Sequence, residues 1–225
     1  MAEIIVALDL PSRDEALRWL DRAPSTQWAK VGSVLFTREG PLLVREIIAR
    51  GIKVFLDLKW HDIPNTVEGG VAGARTLGVS MATVHTLGGV EMMKSAAGAA
   101  GEVGVVGVTV LTSHTPDSYG SAVGRGGVDL QDEVKRQAAN AAAAGLKGIV
   151  CSPHEIAVVR AVLPASAWIV VPGIRRPGDA AGDQSRTAGP AEAAKAGATH
   201  LVVGRPLLQA ADPAEVLKEF REAAR

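Results

Sequence analysis

The feature that most constrains the fold is a repeated alternation between short apolar runs and longer amphipathic stretches. Eight runs rich in Val, Ile, Leu and Ala each end in a glycine or a polar residue, and stretches with helical spacing of apolar residues separate them. Continuous apolar strands that alternate with helices are typical of a parallel sheet covered on both faces. Eight units favour an α/β fold closed into a (β/α)8 TIM barrel. An open doubly wound sheet is the alternative, although no Gly-x-Gly-x-x-Gly follows the first run.

The predicted elements fill the chain without a break in composition, so we expect residues 1–225 to form a single domain. The predicted strands are 4–8, 27–31, 52–58, 80–84, 104–111, 148–151, 167–171 and 199–203. The predicted helices are 12–20, 41–50, 66–77, 90–100, 130–144, 190–196 and one that begins at Pro213. Pro116 and four glycines within 112–129 predict an exposed loop there.

Composition excludes several classes of partner. The chain has 24 Lys and Arg and 24 Asp and Glu, so its formal net charge is zero and we expect no nucleic-acid partner. Its single cysteine, Cys151, excludes an internal disulfide and fits a reducing cytoplasm. The first apolar run ends at Asp9 and, at about six residues, is too short for a signal peptide or a membrane span. These features predict a cytoplasmic protein without a membrane partner.

Charged residues cluster where the third apolar run ends. Asp57 and Lys59 are two residues apart, so they share a face if the strand continues to Lys59, and Asp62 follows closely. Together with Lys30 from the second run, they could form an alternating array of acids and bases. Neighbouring carboxylates favour a charged lysine, which can act as a general acid, and oppose the neutral lysine that a Schiff base requires. A purely structural ion-pair network fits the same spacing.

The same cluster makes a metal site a weak hypothesis. Two aspartates could bind a metal ion, but Lys59 between them competes as the cation. No His or Cys spacing in the chain supports zinc. We therefore expect no metal.

In a barrel of this kind, the residues that end the strands meet at one mouth, which is where active sites lie. Glycine followed by arginine at the ends of the last two strands, in 173–175 and 204–205, predicts a phosphate site, because glycine lets backbone N–H groups approach an anion that Arg can bind. Helix capping and surface arginines are the alternative explanation. The residues predicted to surround the mouth are Asp9, Lys30, Asp57, Lys59, His85, Thr112, Cys151, Arg175 and Arg205.

The segment 57–66, Asp-Leu-Lys-Trp-His-Asp-Ile-Pro-Asn-Thr, closely resembles the signature of the orotidine 5′-phosphate decarboxylase family in its bacterial form. Further segments resemble landmarks of that family, in family order, across essentially the whole chain. These segments are 6–9, 30–32, 110–113, 152–155, 172–175, 183–186 and 203–206. The resemblance implies an enzyme without a cofactor that converts orotidine 5′-monophosphate to UMP and CO2 in pyrimidine biosynthesis.

The resemblance also implies roles for individual residues. Lys59 would protonate C6 of the pyrimidine beside Asp57, and Lys30 and Asp9 would bind the ribose hydroxyls. Thr112 would contact the pyrimidine, and the phosphate would be bound by the residues at the last strands and the loop before them. Those residues are Arg175, Gln184, Gly204 and Arg205. The residues that would reach into the active site of a partner subunit, in a homodimer with shared sites, are Asp62, Ile63 and Thr66.

Two other functions remain open from sequence. Metal-dependent sugar-phosphate decarboxylases and aldolases of the same superfamily share the Asp-x-Lys-x-x-Asp core, but 64–66 and 183–184 favour the pyrimidine enzyme. A catalytically inactive barrel that binds nucleotides is the second alternative. The roles of His61, His85 and Cys151 are left open.

Overall fold

The computed structural model describes residues 2–176, 179 and 186–225. Eight parallel strands form a closed barrel in which each strand pairs with the next and β8 pairs with β1. The strands are β1 Glu3–Ala7, β2 Trp28–Gly32, β3 Lys53–Trp60, β4 Met81–His85, β5 Gly104–Val108, β6 Gly148–Val150, β7 Trp168–Val171 and β8 His200–Val203. The predicted (β/α)8 barrel is confirmed, and the open doubly wound sheet is excluded by the pairing of β8 with β1.

Helices surround the barrel and alternate with its strands. They are α1 Arg13–Arg22, α2 Ser33–Ala49, α3 Pro64–Leu77, α4 Gly89–Ala99, α5 Pro116–Ala122, α6 Leu130–Ala143, α7 Ile156–Arg160, α8 Pro190–Ala196, α9 Arg205–Leu208 and α10 Pro213–Ala223. Short 3-10 turns at Thr86–Gly88 and Pro153–Glu155 follow β4 and β6. Within the described residues, no helix is both long and apolar enough to cross a membrane.

Two stretches are more helical than their sequences predicted. Residues before Gly40 are helical as well as those after it, because Gly40 takes a φ of 63° and the kink joins two helical segments into α2. Pro41 then begins the second segment, where proline needs no N–H partner. The segment predicted as an exposed loop contains α5, which Thr115 and Ser118 begin with a reciprocal capping box.

Apolar side chains pack on both faces of the barrel wall, as the continuous apolar strands require. Outward-facing residues join the inner faces of the helices in one large cluster. A second cluster fills the barrel interior with one or two residues from most strands. Its members are Ile5, Ala7, Trp28, Phe55, Met81, Val106, Val170 and Val202. Because side chains alternate along a strand, the next inward positions on β1, β2 and β3 bring Asp9, Lys30 and Asp57 to the carboxyl-end mouth.

Candidate active site

Four charged side chains alternate in sign across the mouth. Lys30 Nζ lies 2.9 Å from Asp9 Oδ1 and 3.8 Å from Asp57 Oδ2. Lys59 Nζ donates to both oxygens of Asp57, at 2.9 Å and 2.8 Å. The Lys30 and Asp57 side chains at its centre are each 11% exposed, whereas Asp9 and Lys59 at its ends are 60% and 40% exposed. Lys30 lies between two carboxylates and Asp57 lies between two ammonium groups. The opposite charges compensate one another, and this lowers the cost of burying them.

The backbone of Lys59 is the least ordinary part of this array. Lys59 has a φ of 51°, and it is the one residue other than glycine with a positive φ in the part of the chain that the structure describes. The pairing of β3 with β4 also shifts register between Leu56 and Trp60. The strand therefore continues past Lys59, which is the condition under which Asp57 and Lys59 were predicted to share a face. It does so through a local irregularity. Strained backbone of this kind is concentrated at functional sites.

Thr83 joins the two catalytic candidates, and the sequence reasoning missed it. Its Oγ1 accepts a hydrogen bond from the Lys59 N–H at 2.8 Å and donates one to Asp57 Oδ1 at 3.0 Å. Its side chain is fully buried. The sequence does contain a signal for this residue. Thr83 is two residues after Met81 on β4, so it faces the barrel interior as Met81 does, and it is a polar residue at an inward position beside β3.

A cavity of about 750 Å³ opens at the mouth and contains most of the predicted site residues. All but one of the nine residues predicted to surround the mouth line it, the exception being His85. The lining also includes apolar side chains of the barrel interior and of the connections after β5 and β7. Among these are Phe55, Val108, Val110, Leu111, Val150, Pro172, Val202 and Leu208.

The predicted phosphate end lies on the β7 and β8 side of the cavity. Arg175, Gly204 and Arg205 all line the cavity there, and Gly204 begins the short helix α9. Arg175 is 9% exposed, and its Nη1 donates to the Ile174 carbonyl at 2.8 Å. Backbone N–H groups at a helix start and a nearby guanidinium suit an anion. Gln184, the remaining predicted phosphate ligand, lies outside the described residues.

Asp62, Ile63 and Thr66 do not join the charge array of their own chain. All three are exposed, and Ile63, at 66% exposure, is one of the most exposed large apolar side chains among the described residues. Asp62 accepts a hydrogen bond from the Ile63 N–H at 2.7 Å, and none of the three lines the cavity. The predicted proximity of Asp62 to Asp57 and Lys59 within one chain is therefore wrong, because α3 begins at Pro64 and carries this segment outward.

His85 lies beside the mouth rather than in it. Its ring stacks on that of His61 with centroids 5.6 Å apart, and its Nδ1 accepts the Leu87 N–H at 3.3 Å. Burial, followed by the nearby His61 and Lys59, lowers the pKa of His85 to about 4. A neutral imidazole at neutral pH fits a supporting role better than that of a proton donor.

Cys151 lines the cavity but is a poor nucleophile. The residue is 1% exposed, and burial raises the pKa of its thiol to about 12. A thiol that stays protonated at neutral pH is unreactive, because the thiolate is the attacking species. Its contribution is therefore to packing.

A buried polar cluster holds the connection that carries Thr112. Glu133 on α6 accepts hydrogen bonds from Tyr119 at 2.9 Å and from Arg125 at 2.7 Å. Burial opposes the ionisation of Glu133, but hydrogen bonds from Arg125, Gln137, Arg136 and Tyr119 outweigh it and lower its pKa to about 2. The carboxylate thereby fixes α5 against α6.

A second buried ion pair links the ends of β5 and β6. Arg186 pairs with Glu155, and its Nη2 donates to the Leu111 carbonyl at 3.1 Å. The other carboxylate oxygen of Glu155 accepts the Ser152 N–H at 2.8 Å. Arg186 therefore connects the pyrimidine side of the predicted site to the strand beside it.

In the charge array, lysine ammonium groups occupy the positions beside Asp57 that a metal ion would occupy in a metal-dependent enzyme. Within the residues that the structure describes, no group of three or more His, Cys, Asp or Glu side chains is arranged to hold a metal. The Lys30 and Lys59 ammonium groups instead lie against Asp57. Such an array can supply positive charge and a proton to a reacting carbon.

Position and chemistry together assign the chain to a class. A closed (β/α)8 barrel with a charged cavity at the carboxyl ends of its strands is a barrel enzyme, because that end holds the active site throughout the fold. Residues 2–220 match the model of the orotidine 5′-phosphate decarboxylase / HUMPS family.

Curated relatives carry the same family name. An orotidine 5′-phosphate decarboxylase from Anaeromyxobacter sp. (strain K) is 50% identical over 213 residues, covering 94% of this chain and 93% of the relative. One from Halorhodospira halophila is 48% identical over 218 residues, covering 94% and 91%. The chain therefore belongs to the orotidine 5′-phosphate decarboxylase family, as the sequence motifs indicated.

A solved structure has the same fold along its whole length. The crystal structure of orotidine 5′-phosphate decarboxylase from Lactobacillus acidophilus superposes with a TM-score of 0.89 at 32% identity, covering 100% of both chains.

Proposed function

We propose that this protein decarboxylates orotidine 5′-monophosphate to UMP and CO2, without a metal or organic cofactor, as the last step of UMP synthesis in the cytoplasm. The observation that carries the proposal is the Lys59 ammonium, which lies within 2.9 Å of both Asp57 oxygens inside a cavity with a phosphate-suited end. Membership of the family supports the same reaction.

The reaction needs a cation and a proton at one carbon. Loss of CO2 leaves the bonding electron pair on C6 of the pyrimidine, and no cofactor delocalises it in this scheme. Lys59 stabilises that developing charge and transfers its proton to C6, so the carboxylate is replaced by hydrogen. The lysine then regains a proton from solvent. Its side chain is 40% exposed, which gives solvent a route to it.

Asp57 and Lys30 complete the chemistry in the proposal. Asp57 holds Lys59 in place and lies beside the substrate carboxylate, where repulsion favours its departure. Lys30 contacts Asp57 from the other side, with its Nζ 3.8 Å from Asp57 Oδ2, and with Asp9 it binds the ribose hydroxyls. The Lys30 to Asp9 contact of 2.9 Å supports a joint role for these two side chains.

The rest of the substrate would be bound along the cavity wall. Thr112 contacts the pyrimidine, while Arg175, Gln184, Gly204 and Arg205 bind the phosphate in the proposal. Three of those four line the β7 and β8 side of the cavity. Binding energy from a remote phosphate can assist the chemical step when it holds the reacting carbon against the lysine.

The direct test is turnover of orotidine 5′-monophosphate by the purified protein in the presence of EDTA. We expect stoichiometric UMP and CO2, loss of turnover in Lys59→Ala, and retained UMP binding by that variant. Lys94→Ala is the matched control, because Lys94 is a half-exposed lysine paired with Glu91 on α4, away from the cavity. Full activity in Lys59→Ala would contradict the assigned role.

The same experiment separates the alternatives. Activity restored only by a divalent metal would favour a metal-dependent sugar-phosphate enzyme of the same superfamily. UMP binding without turnover by the unaltered protein would favour a nucleotide-binding barrel without catalysis.

We also propose that the protein acts as a homodimer with shared active sites. Asp62, Ile63 and Thr66 are exposed and lie outside the cavity of their own chain, which leaves them available to a partner. Ile63 and Leu87 are exposed apolar side chains, at 66% and 41%, and the turn that carries Leu87 is brought to this segment by the stacking of His85 on His61. Burying such side chains between two copies is favourable.

Mixing two inactive variants tests the shared site. In a dimer of Lys59→Ala with Asp62→Ala, one site would have both residues intact and the other would lack both. Random exchange of subunits should restore about a quarter of the wild-type activity if the sites are isologous. No recovery after exchange has been verified by mass spectrometry would count against shared sites.

A further inference from the structure

Thr83 on β4 forms two hydrogen bonds with the charged residues of β3, in addition to its packing in the barrel interior. Its hydroxyl oxygen lies 2.8 Å from the Lys59 backbone nitrogen and 3.0 Å from Asp57 Oδ1. One hydroxyl can accept the first hydrogen bond and donate the second, so both contacts form at once. The residue is 0% exposed, and no water competes for either bond.

The backbone hydrogen bond is unusual for a strand. Parallel strands normally pair N–H with carbonyl oxygen, and β3 pairs with β4 in this way up to Leu56. The register then shifts before Trp60, and the Lys59 N–H bonds a side chain of β4 instead. An unsatisfied buried N–H would be costly, so the threonine hydroxyl stabilises the irregular backbone at this point.

The irregular backbone determines where the lysine points. The positive φ of Lys59, 51°, is an arrangement that a non-glycine residue rarely adopts without compensation from its surroundings. With that backbone, Lys59 Nζ donates hydrogen bonds to both oxygens of Asp57. One of these oxygens, Oδ1, also accepts a hydrogen bond from the Thr83 hydroxyl. The same hydroxyl thus constrains the backbone of the proton donor and the rotamer of its carboxylate partner.

We infer that Thr83 is a positioning residue for the decarboxylation, whose hydroxyl holds Lys59 and Asp57 in their reactive geometry. This inference rests on the proposed function. Because Thr83 does not line the cavity, it acts through the other two residues and not on substrate. Its loss should therefore lower kcat and leave KM nearly unchanged, since the phosphate end and the ribose pair are untouched.

The test compares Thr83→Val, which keeps the shape and removes the hydroxyl, with Thr83→Ser, which keeps the hydroxyl. We expect kcat to fall about 10- to 100-fold in Thr83→Val, as misplacement of a reacting group does, with KM within about threefold. Thr83→Ser should stay within about threefold of wild type in kcat. If Thr83→Val does not fold, Thr83→Ala, which adds no new atoms, takes its place.

Thr109→Val is the matched control for lost stability. Thr109 is also 0% exposed, near the carboxyl end of the neighbouring β5, and its hydroxyl donates to the Val150 carbonyl at 2.8 Å without touching the charge array. We expect a similar fall in melting temperature in the two valine variants, with kcat near wild type in Thr109→Val alone.

Two results would overturn the inference. One is a kcat for Thr83→Val as high as that of Thr109→Val. The other is an equal loss in Thr83→Ser, which keeps the hydroxyl and would show that the packing of the side chain, and not its hydroxyl, sets kcat. A crystal structure of Thr83→Val provides a readout that does not depend on activity, and Lys59 should lose its positive φ or its contact with Asp57 there. Failure of wild-type turnover would instead reject the proposed function.

Discussion

Trp28 and Lys30 lie two residues apart on β2 and face the same barrel interior, yet they belong to its opposite ends. Lys30 joins the charge array at the mouth, whereas Trp28 closes the other end, which we call the floor, with Trp168 and His200. The Trp28 ring meets the Trp168 ring edge to face at 6.4 Å and the His200 ring at 5.3 Å. Each end also contains lysines, which contact aromatic rings at the floor and carboxylates at the mouth.

The lysines show how the two ends differ. At the floor, Lys53 and Lys147 are exposed residues whose ammonium groups lie over the Trp28 and Trp168 rings at 5.3 Å and 5.5 Å. At the mouth, Lys30 and Lys59 contact Asp57, and the Lys30 and Asp57 side chains are each 11% exposed. The floor thus gains stability from apolar burial and cation–π contact. The mouth retains charge that contributes little to stability, and we propose that the reaction needs it.

The largest expected effect comes from removing the charge at the mouth. Lys30→Met should lower kcat/KM at least about 1000-fold, equivalent to about 4 kcal/mol of transition-state stabilisation, because Asp57 loses one of its two cations. The free energy of unfolding should fall by less than about 3 kcal/mol, below the usual cost of breaking a buried ion pair, since Asp57 keeps Lys59 and the Asp9 side chain is 60% exposed. Steady-state kinetics and urea unfolding measure the two quantities.

Lys53→Met is its matched control at the floor. It makes the same Lys→Met change on the neighbouring strand β3, where the lysine side chain makes a cation–π contact with Trp28. Activity should be unchanged and stability should fall by less than about 1 kcal/mol. Equal loss of activity in both variants would remove the distinction between the two ends.

Truncation at the floor should do the opposite. Trp28→Ala should lower the free energy of unfolding by about 3–5 kcal/mol, because the ring is 4% exposed and its loss leaves a cavity. Activity per folded molecule should stay within about fivefold of wild type, as the change is separated from the array by a layer of side chains. Activity is measured at a temperature well below the new melting point. A selective loss of kcat without loss of stability would contradict the division.

Acid should weaken the floor through His200. Burial, and then the nearby Lys53, lowers the pKa of His200 from 6.5 to about 4. Because the unfolded chain binds this proton more readily than the folded one, the associated stability is complete above about pH 6.5 and is lost as the pH falls towards 4. The loss amounts to at most about 3 kcal/mol. His200→Gln should flatten the dependence of unfolding free energy on pH in this window.

His85 provides the control for that titration at the mouth. Its pKa is also lowered to about 4, with burial as the main cause. His85→Gln should therefore remove a similar part of the acid dependence, and the double variant should remove both parts. An unchanged pH dependence in His200→Gln would show that His200 is not buried in its neutral form.

A smaller loss of stability than that of Trp28→Ala is expected where Trp168 packs against Gly104 and Gly148. A Cβ added at Gly104 would overlap the Trp168 ring, and one at Gly148 would overlap the Trp168 backbone. Gly104→Ala should cost about 1–3 kcal/mol of stability, because the ring must shift out of a packed position. Trp168→Leu should reduce that cost in a double-mutant cycle, while additive losses would show that the two positions do not interact.

Much of this organisation could be predicted from individual stretches of sequence. The alternation of apolar runs and helices predicted the barrel, and the strand ends predicted a shared mouth that contains Asp9, Lys30, Asp57 and Lys59. The motif from 57 to 66 indicated the family. These inferences succeed because strand periodicity and parallel topology alone determine which residues arrive at the carboxyl end.

Two predictions failed because they depend on structure beyond the local segment. The stretch that contains α5 was predicted as a loop from its proline and glycines, but Thr115 and Ser118 begin a helix there, and the contact of Tyr119 with Glu133 on α6 stabilises it. Asp62 was expected beside Asp57, but Pro64 begins α3 early and directs the segment outward. In both cases, a contact or direction outside the segment decides its structure.

The barrel, the family and the identity of the charged residues at the mouth follow from the sequence alone. Three features are visible only in the folded chain: Lys59 takes a positive φ, Thr83 bonds both Lys59 and Asp57, and two tryptophans and a histidine close the floor. Each of these features depends on the register between strands. Neighbouring residues along the chain carry no record of which side chain lies across the sheet.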